Sequence, residues 1–176
     1  YDLLVLGGGT GGYAAAFRAA QLGKRVGLVE QAKVGGTCLH WGCIPAKAML
    51  ESGDLLAKIG KAADHGIQIA PATGIDTRVV GARRDKIVAK MHAGLKSLFK
   101  KNNVEVIAAR GTIAAPGSIE VALVDETGAP TGEERTVTAT DIVVATGSSV
   151  RTIPGLETDG TIVVNSDDIV TGTLHP

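Results

Sequence analysis

DLLVLGGGTGGYAAAFRAAQLGKRVGLVE, residues 2–30, is the stretch whose reading decides the fold. Asp2 to Leu6 is a short apolar run that stops at six residues containing five glycines. Tyr13 to Leu22 is Ala-rich with no helix breaker, and Gly23 stands where a helix C-terminus wants a glycine. Arg25 to Glu30 is a second apolar run, ending in an acid. Strand, tight turn, helix and strand in this order make a βαβ unit, which places the two strands parallel in one sheet.

Within that unit Gly7, Gly9 and Gly12 form G-x-G-x-x-G at the junction of the first strand and the helix. There the first glycine permits the turn, the second lets backbone approach a pyrophosphate, and the third lets helix and strand pack closely. The phosphates then face unpaired N–H groups at the helix N-terminus. Glu30 ends the second strand, where a carboxylate accepts the hydroxyls of an adenosine ribose. The pattern points to a dinucleotide and does not separate FAD from NAD. The plainer alternative is a tight turn followed by a solvated strand end.

Outward from this unit, residues 42–63 have helical composition. Asp76 to Lys101 is expected to be a long amphipathic helix whose buried stripe runs through Val80, Ile87, Met91, Leu95 and Leu98. From Val104 the chain turns β-branched: VEVIAARG, SIEVALVD and RTVTATDIVVATG, separated by Pro116 with Gly117, Gly128 and Gly132. One strand returns to the parallel sheet, an antiparallel meander follows, and Ile142 to Ala145 goes back into the sheet. Residues 161–170 offer one more short strand and a helix starting at Ser166. The expected class is α/β: a Rossmann-like FAD/NAD(P)-binding fold with a parallel sheet, flanking helices and a small antiparallel β layer at about 112–140.

The chain has 176 residues, enough for one full core. Eighteen Lys and Arg offset eighteen Asp and Glu, so no overall field draws in nucleic acid or an anionic membrane. Arg78 to Lys101 holds eight basic residues against Asp85 alone, but aromatic residues for base stacking make up only 3% of the chain. No apolar run approaches the length of a membrane span, and no signal segment is recognisable, so a cytoplasmic protein is expected. Neither nucleic acid nor membrane is an expected partner.

Cys38 and Cys43 are the only cysteines. In one regular helix their Cα atoms would stand ~8.7 Å apart, beyond disulfide reach, so a bridge needs Cys38 in a loop or a distorted first turn. A helix starting near Gly42 would put Pro45 in its first turn, where a missing N–H is tolerated. Cys43 would then sit at the positive end of the helix dipole, with Lys47 one turn further along the same face favouring a thiolate. A zinc site using His40, with His65, His92 or His175 as further ligand, is a competing reading, as are two unrelated thiols.

Three stretches, GGGTGGY near the N-terminus, GGTCLHWGCIPAK at 35–47 and DIVVATGSSVRTIPG at 141–155, together resemble the pyridine nucleotide-disulphide oxidoreductase family. Within it, Leu39, Ile44 and LFKKNNVEVIAARG at 98–111 are most similar to the lipoamide dehydrogenase branch rather than to the glutathione or mercuric reductases. The resemblance implies electron transfer from dihydrolipoamide, through a redox-active cysteine pair, to FAD and then to NAD. Cys38 would exchange with the dithiol, Cys43 would lie beside the flavin, and Lys47 would stand near its reactive edge. Gly7, Gly9, Gly12, Glu30, Gly36, Thr37, Lys47, Gly111, Thr146, Gly147 and Ser148 would hold FAD.

The implied partners are a dihydrolipoamide-bearing protein or a small dithiol, in a homodimeric parent enzyme. Such enzymes have a second glycine motif for NAD, a later Gly-Asp element completing the FAD site, and a dimerisation domain supplying the catalytic base. None is found here, so residues 1–176 are expected to be the N-terminal FAD-binding portion, inactive when isolated. A related glutathione- or mercuric-reductase-like enzyme and a noncatalytic FAD-binding fragment are the alternatives. Departures from the family pattern are Ala46 for Ser, Val150 for Pro, and the pair His40–Trp41 between the cysteines.

Overall fold

The computed structural model describes residues 1–72 and 74–172; Thr73 and residues 173–176, among them the candidate ligand His175, lie outside the described residues. The chain divides into two compact units: Tyr1–Cys38 with Met91–Ser149, and Leu39–Lys90 with the segment from Val150 onward.

The first unit is built on a six-stranded sheet. Strands β1 (Leu3–Leu6), β2 (Val26–Glu30), β3 (Glu105–Ala115), β4 (Ser118–Val124), β5 (Pro130–Thr138) and β6 (Asp141–Val144) lie in the order β5-β4-β3-β2-β1-β6. β6, β1, β2 and the first half of β3 are parallel, with Val5 opposite Leu28 and Val143, and Val29 opposite Ile107. The second half of β3 pairs antiparallel with β4, and β4 with β5. The α/β class is as expected, but one long strand serves both the parallel sheet and the meander, which the sequence reading had kept separate.

The alternation of each strand sorts its side chains between two faces. Leu4, Leu6, Val29, Ile107 and Ala109 join Ile119 and Val121 of β4 in one buried cluster. Val5 points the other way, toward α1 (Thr10–Gln21), which packs on β1 and β2 and buries Ala16. Gly23, just past the C-cap Leu22, has φ +81° and ends α1 as expected.

Two helical segments follow, the short α2 (Gly36–His40) and the longer α3 (Cys43–Gly60), then a 3-10 turn at Ala62–His65 and α4 (Thr77–Lys101). The stripe expected on α4 is corrected in part. Leu95 is buried, but Met91 and Leu98 are each 46% exposed, while Phe99 is 3% exposed with its ring 4.8 Å from that of Phe17. A larger aromatic side chain one residue along the helix takes the buried direction that spacing had assigned to Leu98.

In the second unit Arg84 of α4 is only 4% exposed. Its guanidinium donates to the Asp85 carboxylate at 2.8 and 2.9 Å and to the Thr171 carbonyl at 2.9 Å, and it touches the Met49 sulfur at 3.9 Å. Arg83 donates to the Ala48 carbonyl of α3 at 2.7 Å. Helix α5 (Ser166–Val170) starts where expected. It is capped by Asn165, whose side chain accepts from Asp167 and Asp168 while the Asp168 carboxylate accepts the Asn165 N–H.

The short strand expected before α5 does not form. The Asp159 carboxylate instead accepts the N–H groups of Thr161, Ile162 and Val163 at 2.8 to 2.9 Å. Those donors are the ones a strand would need for its ladder, so the side chain captures the segment as a turn.

Candidate functional site

The glycine turn between β1 and α1 is held together from three directions. Gly7 has φ +105°, and a Cβ there would collide with the carbonyl of Ala145; a Cβ on Gly12 would collide with the carbonyl of Gly7. Backbone approach alone therefore demands glycine at both positions. Gly9 is different, since nothing lies closer than 3.9 Å to the place its Cβ would occupy. The space above it is open, which is the opening a pyrophosphate needs.

Gly9 is also the N-cap of α1 and offers no side-chain acceptor, so the first N–H groups of this twelve-residue helix are left for a ligand. The turn is closed over by a later segment: Gly35 donates its N–H to the Gly8 carbonyl at 2.7 Å. A Cβ on Gly36, where φ is +57°, would come within 2.7 Å of the Gly9 Cα. The pairing of Gly8 and Gly35, and the steric reason for Gly36, were not legible in the spacing. Their signal is a second glycine pair just after the acid that ends β2.

Glu30 turns its carboxylate back over the same turn. One oxygen accepts the Gly8 N–H at 2.7 Å and the other the Ala32 N–H at 2.8 Å. Each carboxylate oxygen has capacity for a further donor, so the group is oriented rather than used up. Beside it lies a hollow of about 250 Å³ lined by Gly7, Glu30, Gln31, Arg110, Gly111 and Thr146, with Leu6, Val29 and Ala109. Four of the residues assigned to the cofactor from sequence, Gly7, Glu30, Gly111 and Thr146, thus meet around one cavity although they lie as far apart as 139 positions in the chain.

Gly111 has its own packing reason, because a Cβ there would press on Leu6 at 2.5 Å and on Ile119 and Val29 at 3.1 Å. Thr146, Gly147 and Ser148 are exposed, just past β6. Gln31 and Arg110 were not anticipated; each simply neighbours a residue that was.

The cysteine stretch is split between two helices. Thr37 and Cys38 lie in α2, a single turn, Thr37 exposed and Cys38 half-buried. Cys43 is the first residue of α3 and is exposed, with Gly42 as N-cap at φ −146° and ψ −111°. Cys38 was expected in a loop or distorted first turn and instead occupies a short helix of its own. The break at Trp41 and Gly42 keeps the two cysteines out of one regular helix. Both are thiols in this structure.

Pro45 falls in the first turn of α3 and is buried, and Lys47 lies exposed one turn after Cys43. The 18-residue helix therefore directs its positive end at the Cys43 thiol. The rings of His40 and Trp41 stand 5.3 Å apart, tilted by 54°.

On α4, Arg78 pairs with Asp76, and Arg83 and Arg84 make the bonds described above, so these three basic residues have partners among the described residues. Among the described residues no three His, Cys, Asp or Glu side chains gather as a metal site, and no helix is long and apolar enough to cross a membrane.

Residues 1–174 match the family model described as pyridine nucleotide-disulphide oxidoreductase. A dihydrolipoyl dehydrogenase of Bacillus subtilis is 42% identical over 176 residues, covering 96% of this chain and 36% of the relative. One from Zymomonas mobilis is 40% identical over 161 residues, covering 91% and 33%. The crystal structure of LpdA from Mycobacterium tuberculosis superposes with a TM-score of 0.82 at 26% identity, over 97% of this chain and 37% of that one. The chain spans about a third of the length of these relatives.

Proposed function

The chain belongs to the pyridine nucleotide-disulphide oxidoreductase family, and from that premise we propose that it is the FAD-holding, disulfide-bearing part of a dihydrolipoyl dehydrogenase. The observation that carries this reading is the hollow where Gly7, Glu30, Gly111 and Thr146 meet beside an uncapped helix N-terminus. Those residues fit FAD: donors at α1 for its pyrophosphate, an oriented carboxylate for its ribose, and the open space above Gly9. Gly36, Thr37, Lys47, Gly147 and Ser148 belong to the same proposed set with Gly12.

In the oxidised pair, a thiolate of the substrate dithiol attacks Cys38, forming a mixed disulfide and releasing Cys43 as thiolate. The second substrate thiolate attacks the substrate sulfur of that mixed disulfide, closing the substrate disulfide and releasing Cys38. Two electrons have passed to the cysteine pair. Positive charge lies at Cys43, which opens α3 and has Lys47 one turn further along the same helix. FAD, when bound, supplies the two-electron relay from the pair to NAD.

The whole enzyme's substrate, its homodimer and its cytoplasmic location are parts of this proposal; the relative from Pisum sativum carries "mitochondrial" in its name. The test is a steady-state assay of the full-length enzyme containing this chain. NAD reduction by dihydrolipoamide, abolished in both Cys38→Ser and Cys43→Ser, is expected. Preference for glutathione disulfide or a mercuric ion with NADPH would replace this reading by the corresponding reductase, and FAD binding with no turnover by a binding module.

A further inference from the structure

A second cavity of the first unit, about 500 Å³ in volume, is lined by Val106 and Ala108 of β3 and by Val104 just before it. The hollow proposed for FAD takes Ala109, Arg110 and Gly111 from the same strand. The two cavities share Glu30, but the second is floored by Val34, Phe99 and Val104, none of which lines the first. The floor of the second is apolar: Val34, Phe99 and Val104 are all buried.

Its rim is cationic. Lys96 and Lys100 follow one another at the four-residue spacing of a single α4 face, and Lys33 stands on the loop after β2. None of these three ammoniums is in an ion pair among the described residues. Two carboxylates also reach the cavity, those of Glu30 and Glu126. Three ammoniums against these two carboxylates leave a surplus of one positive charge at the rim.

We propose that this cavity binds a small amphipathic anion, its hydrocarbon or aromatic body on the Val34–Phe99–Val104 floor and its carboxylate or phosphate head among Lys33, Lys96 and Lys100. The volume lies inside the range of small-molecule sites. Apolar burial supplies affinity, and the ammonium-to-anion hydrogen bonds supply selectivity for charge. The cavity shares Glu30 with the hollow proposed for FAD, but none of the three lysines lines that hollow.

The probes are octanoate and phenyl phosphate, titrated by calorimetry into the full-length protein, with 1-octanol and inorganic phosphate as partial ligands. Octanoate, phenyl phosphate or both should bind at least tenfold more tightly than octanol and inorganic phosphate. Lys96→Glu with Lys100→Glu should weaken that binding at least tenfold while leaving FAD affinity at the wild-type value, and Lys33→Glu, on a loop, should do the same without touching a helix. Equal binding of octanol, unchanged binding by both variants, or no binding of either anion would overturn the proposal. Loss of FAD in a variant that retains its thermal midpoint would also overturn it, by making the cavity part of the cofactor site.

Discussion

The carboxylate of Glu30 accepts the N–H of Gly8 at 2.7 Å across 22 residues of sequence, tying the end of β2 to the turn that leaves β1. Strand, turn and acid are thereby locked into one frame before any ligand arrives. Glu30→Ala removes both the frame and the proposed ribose acceptor. FAD affinity of the full-length enzyme should fall by about 1.5–3 kcal/mol, the usual worth of hydrogen bonds to a charged group. Fluorescence titration with FAD measures it, and an unchanged dissociation constant would detach Glu30 from the cofactor.

Neighbouring glycines at the start of α1 should respond in opposite ways. A Cβ on Gly12 would collide with the Gly7 carbonyl, so Gly12→Ala should destabilise by about 1–3 kcal/mol, as overpacking does. A Cβ on Gly11 meets nothing within 4 Å, and there alanine gains about 0.5–1 kcal/mol from helix propensity. Urea unfolding of the two variants decides the matter; equal effects would contradict the geometry.

Arg84 and Asp85 form a pair of unequal burial, the arginine side chain 5% exposed and the aspartate 68%. Arg84→Met leaves Asp85 in water and costs chiefly the bond to the Thr171 carbonyl, about 1–3 kcal/mol. Asp85→Ala strands a buried guanidinium with a carbonyl and a thioether, a loss nearer to 3–5 kcal/mol. The exposed residue should thus be the more damaging one to remove, and the reverse order in chemical denaturation would show that Arg84 is solvated.

Three backbone N–H donors, from Thr161, Val163 and Ile162, pull the Asp159 carboxyl down to about 2. A carboxyl lowered on folding contributes order that is complete above its ordinary value and is lost as pH falls through the folded value. The turn at 159–163 should therefore persist at pH 4 and open between about pH 4 and 2. Amide chemical shifts of Thr161, Ile162 and Val163 should titrate together in that window. In Asp159→Asn the common titration should vanish.

Much of the first unit was legible in the chain because its determinants are local. The spacing of Gly7, Gly9 and Gly12 between an apolar run and an Ala-rich one sets strand, turn and helix within a dozen residues, and the β-branched runs after Val104 announce the meander. Pro45 and Gly42 likewise announced the start of α3. Where one element offered two choices, spacing was not enough. Leu98 and Phe99 sit 100° apart on α4, and only contact with Phe17 assigns the buried direction to Phe99.

By itself, then, the sequence determined the βαβ unit, the α/β class, Cys43 at a helix start and the family, since each rests on residues a few positions apart whose backbone geometry is self-contained. Tertiary structure alone decided which distant residues share the hollow around Glu30, why Gly36 must be glycine against Gly9, that Arg84 is buried, and that Asp159 turns an expected strand into a loop. These depend on groups meeting through space and on competition for the same N–H donors, and neither distance nor competition is written in a one-dimensional pattern.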